Sequence, residues 1–78
     1  MKAIEKRLRD EVATLLALDP ESISCRSPLH SLGMDSLRFV ELLVFIEGEY
    51  SLNLMESGLT KEDFQTIASL AARIEELA

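Results

Sequence analysis

The chain has 78 residues, 8 of them basic and 14 acidic, for a formal net charge of −6, and 47% of it is hydrophobic. That composition belongs to a globular domain and not to a disordered tail. The length supports a single domain, residues 1–78, which buries only about 60% of the surface its unfolded chain exposes. An enclosed catalytic pocket is hard to build at that size, so a binding or carrying module is expected in place of an enzyme. Cys25 and His30 are the sole cysteine and histidine, which leaves no disulfide framework, no cysteine cluster for zinc and no histidine-based metal site. Met1-Lys2-Ala3-Ile4-Glu5 lacks the apolar core of a signal peptide, and no apolar run approaches the roughly 18 residues of a membrane span. A soluble, cytoplasmic monomer without membrane insertion is therefore expected. The acid excess disfavours nucleic acid and favours protein partners with basic docking surfaces.

Apolar residues recur with helical spacing from the start. Ile4, Leu8, Val12 and Leu15 predict a first helix over residues 2–17, ended by Asp19-Pro20, because the residue before proline is pushed out of the α region. Residues 18–35, with Pro20, Pro28 and Gly33, then form a long connection. Connections of that length are uncommon in compact domains and are usually functional. Leu18, Ile23, Leu29 and Leu32 are spaced to pin it to a core, so an ordered loop is expected.

Residues 36–50 predict a second helix. At about 100° per residue, Leu42, Leu43, Ile46 and Tyr50 fall within about 60° of Phe39, one complete core-facing stripe. Leu37, Val40 and Val44 lie on a different side, with Glu41 and Gly48 beside them. A surface helix needs one apolar stripe, so the second is either a protein contact or the mark of a helix buried on both sides. Gly33 supports the turn into this helix and Asp35 can cap it by accepting amide hydrogen bonds. Ser36 then lies in the first turn, where free amides and the helix dipole favour an attached phosphate. Capping alone would also account for Asp35 and Ser36. A serine hydrolase is set aside: no Gly-x-Ser-x-Gly elbow surrounds Ser36, and the sole histidine lies six residues upstream.

Thr60-Lys61-Glu62-Asp63-Phe64 reads as one short helical turn ending in an apolar anchor. Ile67, Leu70, Ala71, Ile74 and Leu77 form the stripe of a final helix, with Thr66 as its N-cap. No segment alternates long enough to be a strand; Leu52-Asn53-Leu54 is too short. Cys25 is expected to pack as a small apolar group, and His30 to cap or pack against the loop.

Ser31-Leu32-Gly33-Met34-Asp35-Ser36-Leu37, followed by Val40-Glu41-Leu42, resembles the attachment motif of the acyl carrier protein family, and the order of helices agrees over nearly the whole chain. The resemblance implies an all-α, four-helix fold of free-standing type, with three longer helices and a short third one. It implies that a phosphopantetheinyl transferase joins 4′-phosphopantetheine from coenzyme A to Ser36, beside Gly33 and Asp35. The arm would hold acyl or aminoacyl groups as thioesters, loaded by an activating ligase and passed to transferases or synthases, while the protein itself catalyses nothing. Leu37, Val40, Glu41, Val44 and Glu47 match the partner-contacting positions of the family's recognition helix. Arg38, Gly48, Ser51 and Met55 depart from fatty-acid-synthesis members. Arg38 looks more like polyketide carriers, and Glu62-Asp63-Phe64-Gln65-Thr66-Ile67 is reminiscent of carriers that handle amino acids, including D-alanyl carriers. The alternative is an unmodified helical adaptor that binds partners through Leu37, Val40 and Val44.

Overall fold

The computed structural model describes residues 3–53 and 61–77. It is all-α: α1 spans Ala3–Leu16, α2 spans Ser36–Tyr50 and α3 spans Ile67–Leu77. The short third segment is a four-residue 3₁₀ turn, Lys61–Phe64, and the loop between α1 and α2 holds two more such turns, Pro20–Ser22 and Leu29–Leu32. Lys2, Leu54, Met55 and Thr60, which figure in the sequence reading, lie outside the described residues.

On α1 the expected stripe delivers Leu8 and Val12 to full burial, with neighbouring Ala13, while Ile4 and Leu15 are partly covered. α2 contributes Leu42 and Ile46, and α3 contributes Ile67, Leu70, Ala71 and Ile74. Each large aliphatic side chain taken fully from water is worth about 1.5–3 kcal/mol before the entropy of ordering it. These residues converge in one cluster, and an exposed Arg7–Glu49 ion pair joins α1 to α2.

The end of α1 departs from expectation in its cause. Ala17 adopts the left-handed conformation (φ 57°), and two bonds close the helix: the Leu18 N–H donates to the Ala13 carbonyl at 2.9 Å and the Ala17 N–H to the Thr14 carbonyl at 3.4 Å. This is a Schellman closure with alanine where glycine is usual, and the helix stops before Asp19-Pro20 has any effect. Asp19 instead caps the next turn, accepting the Glu21 N–H at 2.9 Å.

Ile23, Cys25 and Leu29 pin the long loop to the core, as a hydrophobic anchor requires, but Leu18 does not: it is 38% exposed. The loop is also tied to the start of α3. The Ala68 N–H donates to the Cys25 carbonyl at 2.9 Å and the Leu29 N–H to the Gln65 carbonyl at 2.8 Å, next to an isolated bridge between Pro28 and Thr66. Thr66 caps α3 reciprocally: its hydroxyl accepts the Ser69 N–H at 3.0 Å, and the Ser69 hydroxyl accepts the Thr66 N–H at 3.2 Å. Two amide donors that a helix start leaves without partners are thereby satisfied.

Candidate functional site

The candidate site is the first turn of α2. Gly33 sits at φ 98°, a backbone state costly for any residue with a Cβ, and it ends the Leu29–Leu32 turn by donating to the His30 carbonyl at 3.2 Å. The chain then runs extended through Asp35, whose Oδ1 accepts the Arg38 N–H at 2.8 Å, making Asp35 the N-cap of α2. Ser36 follows as the first helical residue, exposed to solvent. Asp35 thus occupies the Arg38 amide, while the amides of Ser36 and Leu37 have no acceptor within the helix. An anion at Ser36 meets those donors and the positive end of the dipole.

Arg38 supplies the part that sequence reasoning missed. Its Nη1 lies 3.2 Å from Asp35 Oδ2, and its Nε donates to the Leu15 carbonyl at 2.9 Å. Leu15 is in the last turn of α1, where carbonyls lack helical partners and a cation is favoured. One side chain therefore fastens the start of α2 to the end of α1. A signal existed in the sequence: a cation in the first turn of a helix opposes the dipole, which argues that it is engaged elsewhere.

Beside Ser36 opens a groove of about 420 Å³. Leu29, Met34, Phe39 and Phe64 supply its apolar lining, and His30, Asp35, Ser36 and Gln65 its polar one. Phe39 and Phe64 meet edge to face, with ring centroids 5.2 Å apart and planes at 90°. Phe39 is accordingly half-buried and lines the groove, where the sequence pattern put it with the core residues of α2; Leu43 and Tyr50 are also only partly covered. His30 is exposed at the groove and does not pack into the loop.

The second stripe of α2 faces solvent. Leu37, Val40 and Val44 are 69%, 54% and 62% exposed, on the side of the helix opposite Leu42 and Ile46. A helix buried on both sides is thereby ruled out. Glu41 and Gly48 are exposed along the same ridge, and Glu47 is half-buried. Cys25 is buried, and burial pushes its thiol pKa up. Among the described residues no group of His, Cys, Asp and Glu could hold a metal ion, and no helix is long and apolar enough to cross a membrane.

The first turn of α2 thus sets an exposed serine beside an open groove, on a helix whose outer side is an apolar ridge. Residues 6–74 match the family model described as the phosphopantetheine attachment site, and the chain belongs to that family. The nonribosomal peptide synthetase agiA of Aspergillus flavus is 38% identical over 72 residues, covering 91% of this chain and 1% of the synthetase. The D-alanyl carrier protein of Lactococcus lactis subsp. cremoris is 37% identical over 43 residues, 55% of this chain and 54% of that protein. The acyl carrier protein of Bdellovibrio bacteriovorus is 28% identical over 74 residues, covering 94% and 92% of the two chains. The match thus spans a small part of the synthetase, about half of the D-alanyl carrier and nearly all of the acyl carrier.

The family's cofactor is 4′-phosphopantetheine, and the residues present fit it. An exposed hydroxyl at a helix start suits a phosphodiester, and a groove with apolar and polar lining suits an arm in which methylenes alternate with amides.

Proposed function

We propose that this protein carries acyl or aminoacyl groups as thioesters on 4′-phosphopantetheine joined to Ser36, and presents them to biosynthetic enzymes. The observation that carries the reading is the exposed Ser36 hydroxyl in the first turn of α2, inside a segment matched to the attachment family. In the attachment step Ser36 Oγ loses its proton and forms a bond to the β-phosphorus of coenzyme A. The bond from that phosphorus to the bridging oxygen breaks, and adenosine 3′,5′-bisphosphate leaves. When bound, the cofactor supplies the thiol that holds the cargo. Asp35 and Arg38 fix the first turn so that Ser36 points from a rigid element and not from a loop.

Leu37, Val40, Glu41, Val44 and Glu47 form the proposed contact surface for the phosphopantetheinyl transferase, the loading ligase and downstream transferases or synthases. Apolar residues supply area that a partner can desolvate, and Glu41 supplies charge that steers a basic surface. Modification and docking then share one helix, so a partner that grips α2 also positions the arm. A single carrier domain over residues 1–78 and a cytoplasmic location belong to the same proposal. Similarity to a D-alanyl carrier favours a small aminoacyl cargo.

Incubation with coenzyme A and a broad-specificity phosphopantetheinyl transferase tests the reading. The intact protein is expected to gain one phosphopantetheine in mass, and Ser36→Ala to gain none. No gain in the native protein would favour the unmodified adaptor.

A further inference from the structure

A phosphodiester on Ser36 adds a negative charge to a chain already at −6, one residue from the Asp35 carboxylate. The free amides at the start of α2 meet part of that charge, and a cation beside it would meet more. Arg38 is near in sequence but badly placed. Two positions along a helix turn a side chain by about 200°, to the far side from Ser36. Its guanidinium is also held there, by the Leu15 carbonyl at 2.9 Å and by Asp35 at 3.2 Å.

His30 stands on the other side. It lines the groove together with Ser36, it is exposed, and its ring has no hydrogen bond or ion pair among the described residues. The backbone that carries it is fixed. Leu29, beside it, is buried and donates its N–H to the Gln65 carbonyl at 2.8 Å, and the Leu29 carbonyl accepts the Met34 N–H at 3.4 Å. Asp35 is the other ionisable group in the groove lining; α2 otherwise presents Phe39 to it, and the segment before α3 presents Phe64 and Gln65, none of them charged.

We infer that His30 is the cation that pairs with the phosphodiester of the attached arm, and that it thereby holds the base of the arm on the groove side of α2, away from the Leu37, Val40 and Val44 ridge. The inference rests on the carrier reading and adds a positioning residue to it. An imidazole changes charge between about pH 5 and 8, whereas a phosphodiester has no second proton to take up and keeps its single charge throughout. Pairing is therefore complete on the acid side of that range and weakens as the ring loses its proton.

The experiment follows the protein by NMR through that pH range in phosphate-free buffer, before and after modification from coenzyme A by the transferase. His30 is the sole histidine, so its ring gives one signal, and the phosphodiester gives the phosphorus signal. In the native protein the phosphorus signal is expected to move along the same curve as the ring signal. The midpoint of the ring curve is expected to lie higher after modification by about 0.3–0.6 of a pH unit, the effect of one negative charge about 5 Å away in water with and without physiological salt. His30→Gln keeps size and polarity but loses the charge; it is expected to be modified to full mass and to show a flat phosphorus signal. A flat phosphorus signal in the native protein, a ring midpoint unmoved by modification, or a phosphorus titration that survives His30→Gln would each overturn the inference. No gain in mass would overturn the carrier reading and the inference with it, so intact mass separates the two failures.

Discussion

Removing the Arg38 guanidinium tests how the first turn of α2 is held. Arg38→Ala keeps the backbone N–H that Asp35 caps, but loses the 2.9 Å bond to the Leu15 carbonyl and the 3.2 Å contact with Asp35. A hydrogen bond to a charged group is worth about 1.5–3 kcal/mol when well shielded. The Arg38 side chain is 45% exposed, so water recovers part of that loss, and an exposed ion pair adds only about 0.2–1 kcal/mol. Relief of an unfavourable cation at the start of α2 offsets about 0.3–1 kcal/mol. The net expectation is about 1 kcal/mol of destabilisation, a fall in melting temperature of about 4–8 °C for a domain this small. Urea denaturation should show a lower midpoint with an unchanged slope, and hydrogen exchange should quicken at the Arg38 and Phe39 amides. Arg38→Lys should recover less than half, because an ammonium lacks the planar fork that reaches two acceptors. A native midpoint and native exchange in Arg38→Ala would refute the account of how the two helices are joined.

The remaining predictions concern other elements. Val44→Lys places a charge on a residue that is 62% exposed; stability should stay within about 0.5 kcal/mol of native while cofactor attachment and cargo transfer slow, and loss of the fold would mean that the ridge is not a free surface. Ala17→Gly and Ser51→Gly relieve left-handed backbone at φ 57° and 55°, so each should stabilise by about 0.5–1 kcal/mol in denaturant; no gain in either would contradict those helix ends. The raised Cys25 pKa sets an alkaline limit. Its contribution is complete below the pKa of the unfolded thiol and is lost as pH rises through the higher folded value, because the unfolded chain gives up that proton first. Denaturation midpoints should therefore fall faster above about pH 9 in the native protein than in Cys25→Ala, and parallel curves would refute the thiol's role.

Periodicity carried most of the fold because burial follows it: Leu8, Val12, Leu42, Ile46, Ile67, Leu70 and Ile74 all stand on the stripes the sequence shows. A second apolar stripe was legible for the same reason, since Leu37, Val40 and Val44 could not share a face with Ile46, but only the packing shows that it faces solvent. Gly33, Asp35 and Ser36 were legible through local chemistry, a left-handed turn and an N-cap. Contacts between segments distant in sequence were not. Phe39 fits the core stripe by angle, but Phe64 meets it edge-on and leaves both rings at a groove, which no spacing within one helix can show. Leu18 looked like an anchor, yet the Schellman closure at Ala17 turns the chain before it can bury. Arg38 reaches a carbonyl 23 positions earlier, and only its awkward place in the dipole hinted at it.

Fragmentation of the transferase-treated protein tests the central claim most directly, because it locates the modification on a peptide. The phosphopantetheine is expected on the peptide bearing Ser36 and on no other, and to vanish in Ser36→Ala while Ser31→Ala retains it. Modification at any other serine, or an unmodified Ser36 in a folded protein, would contradict the claim that this hydroxyl carries the arm.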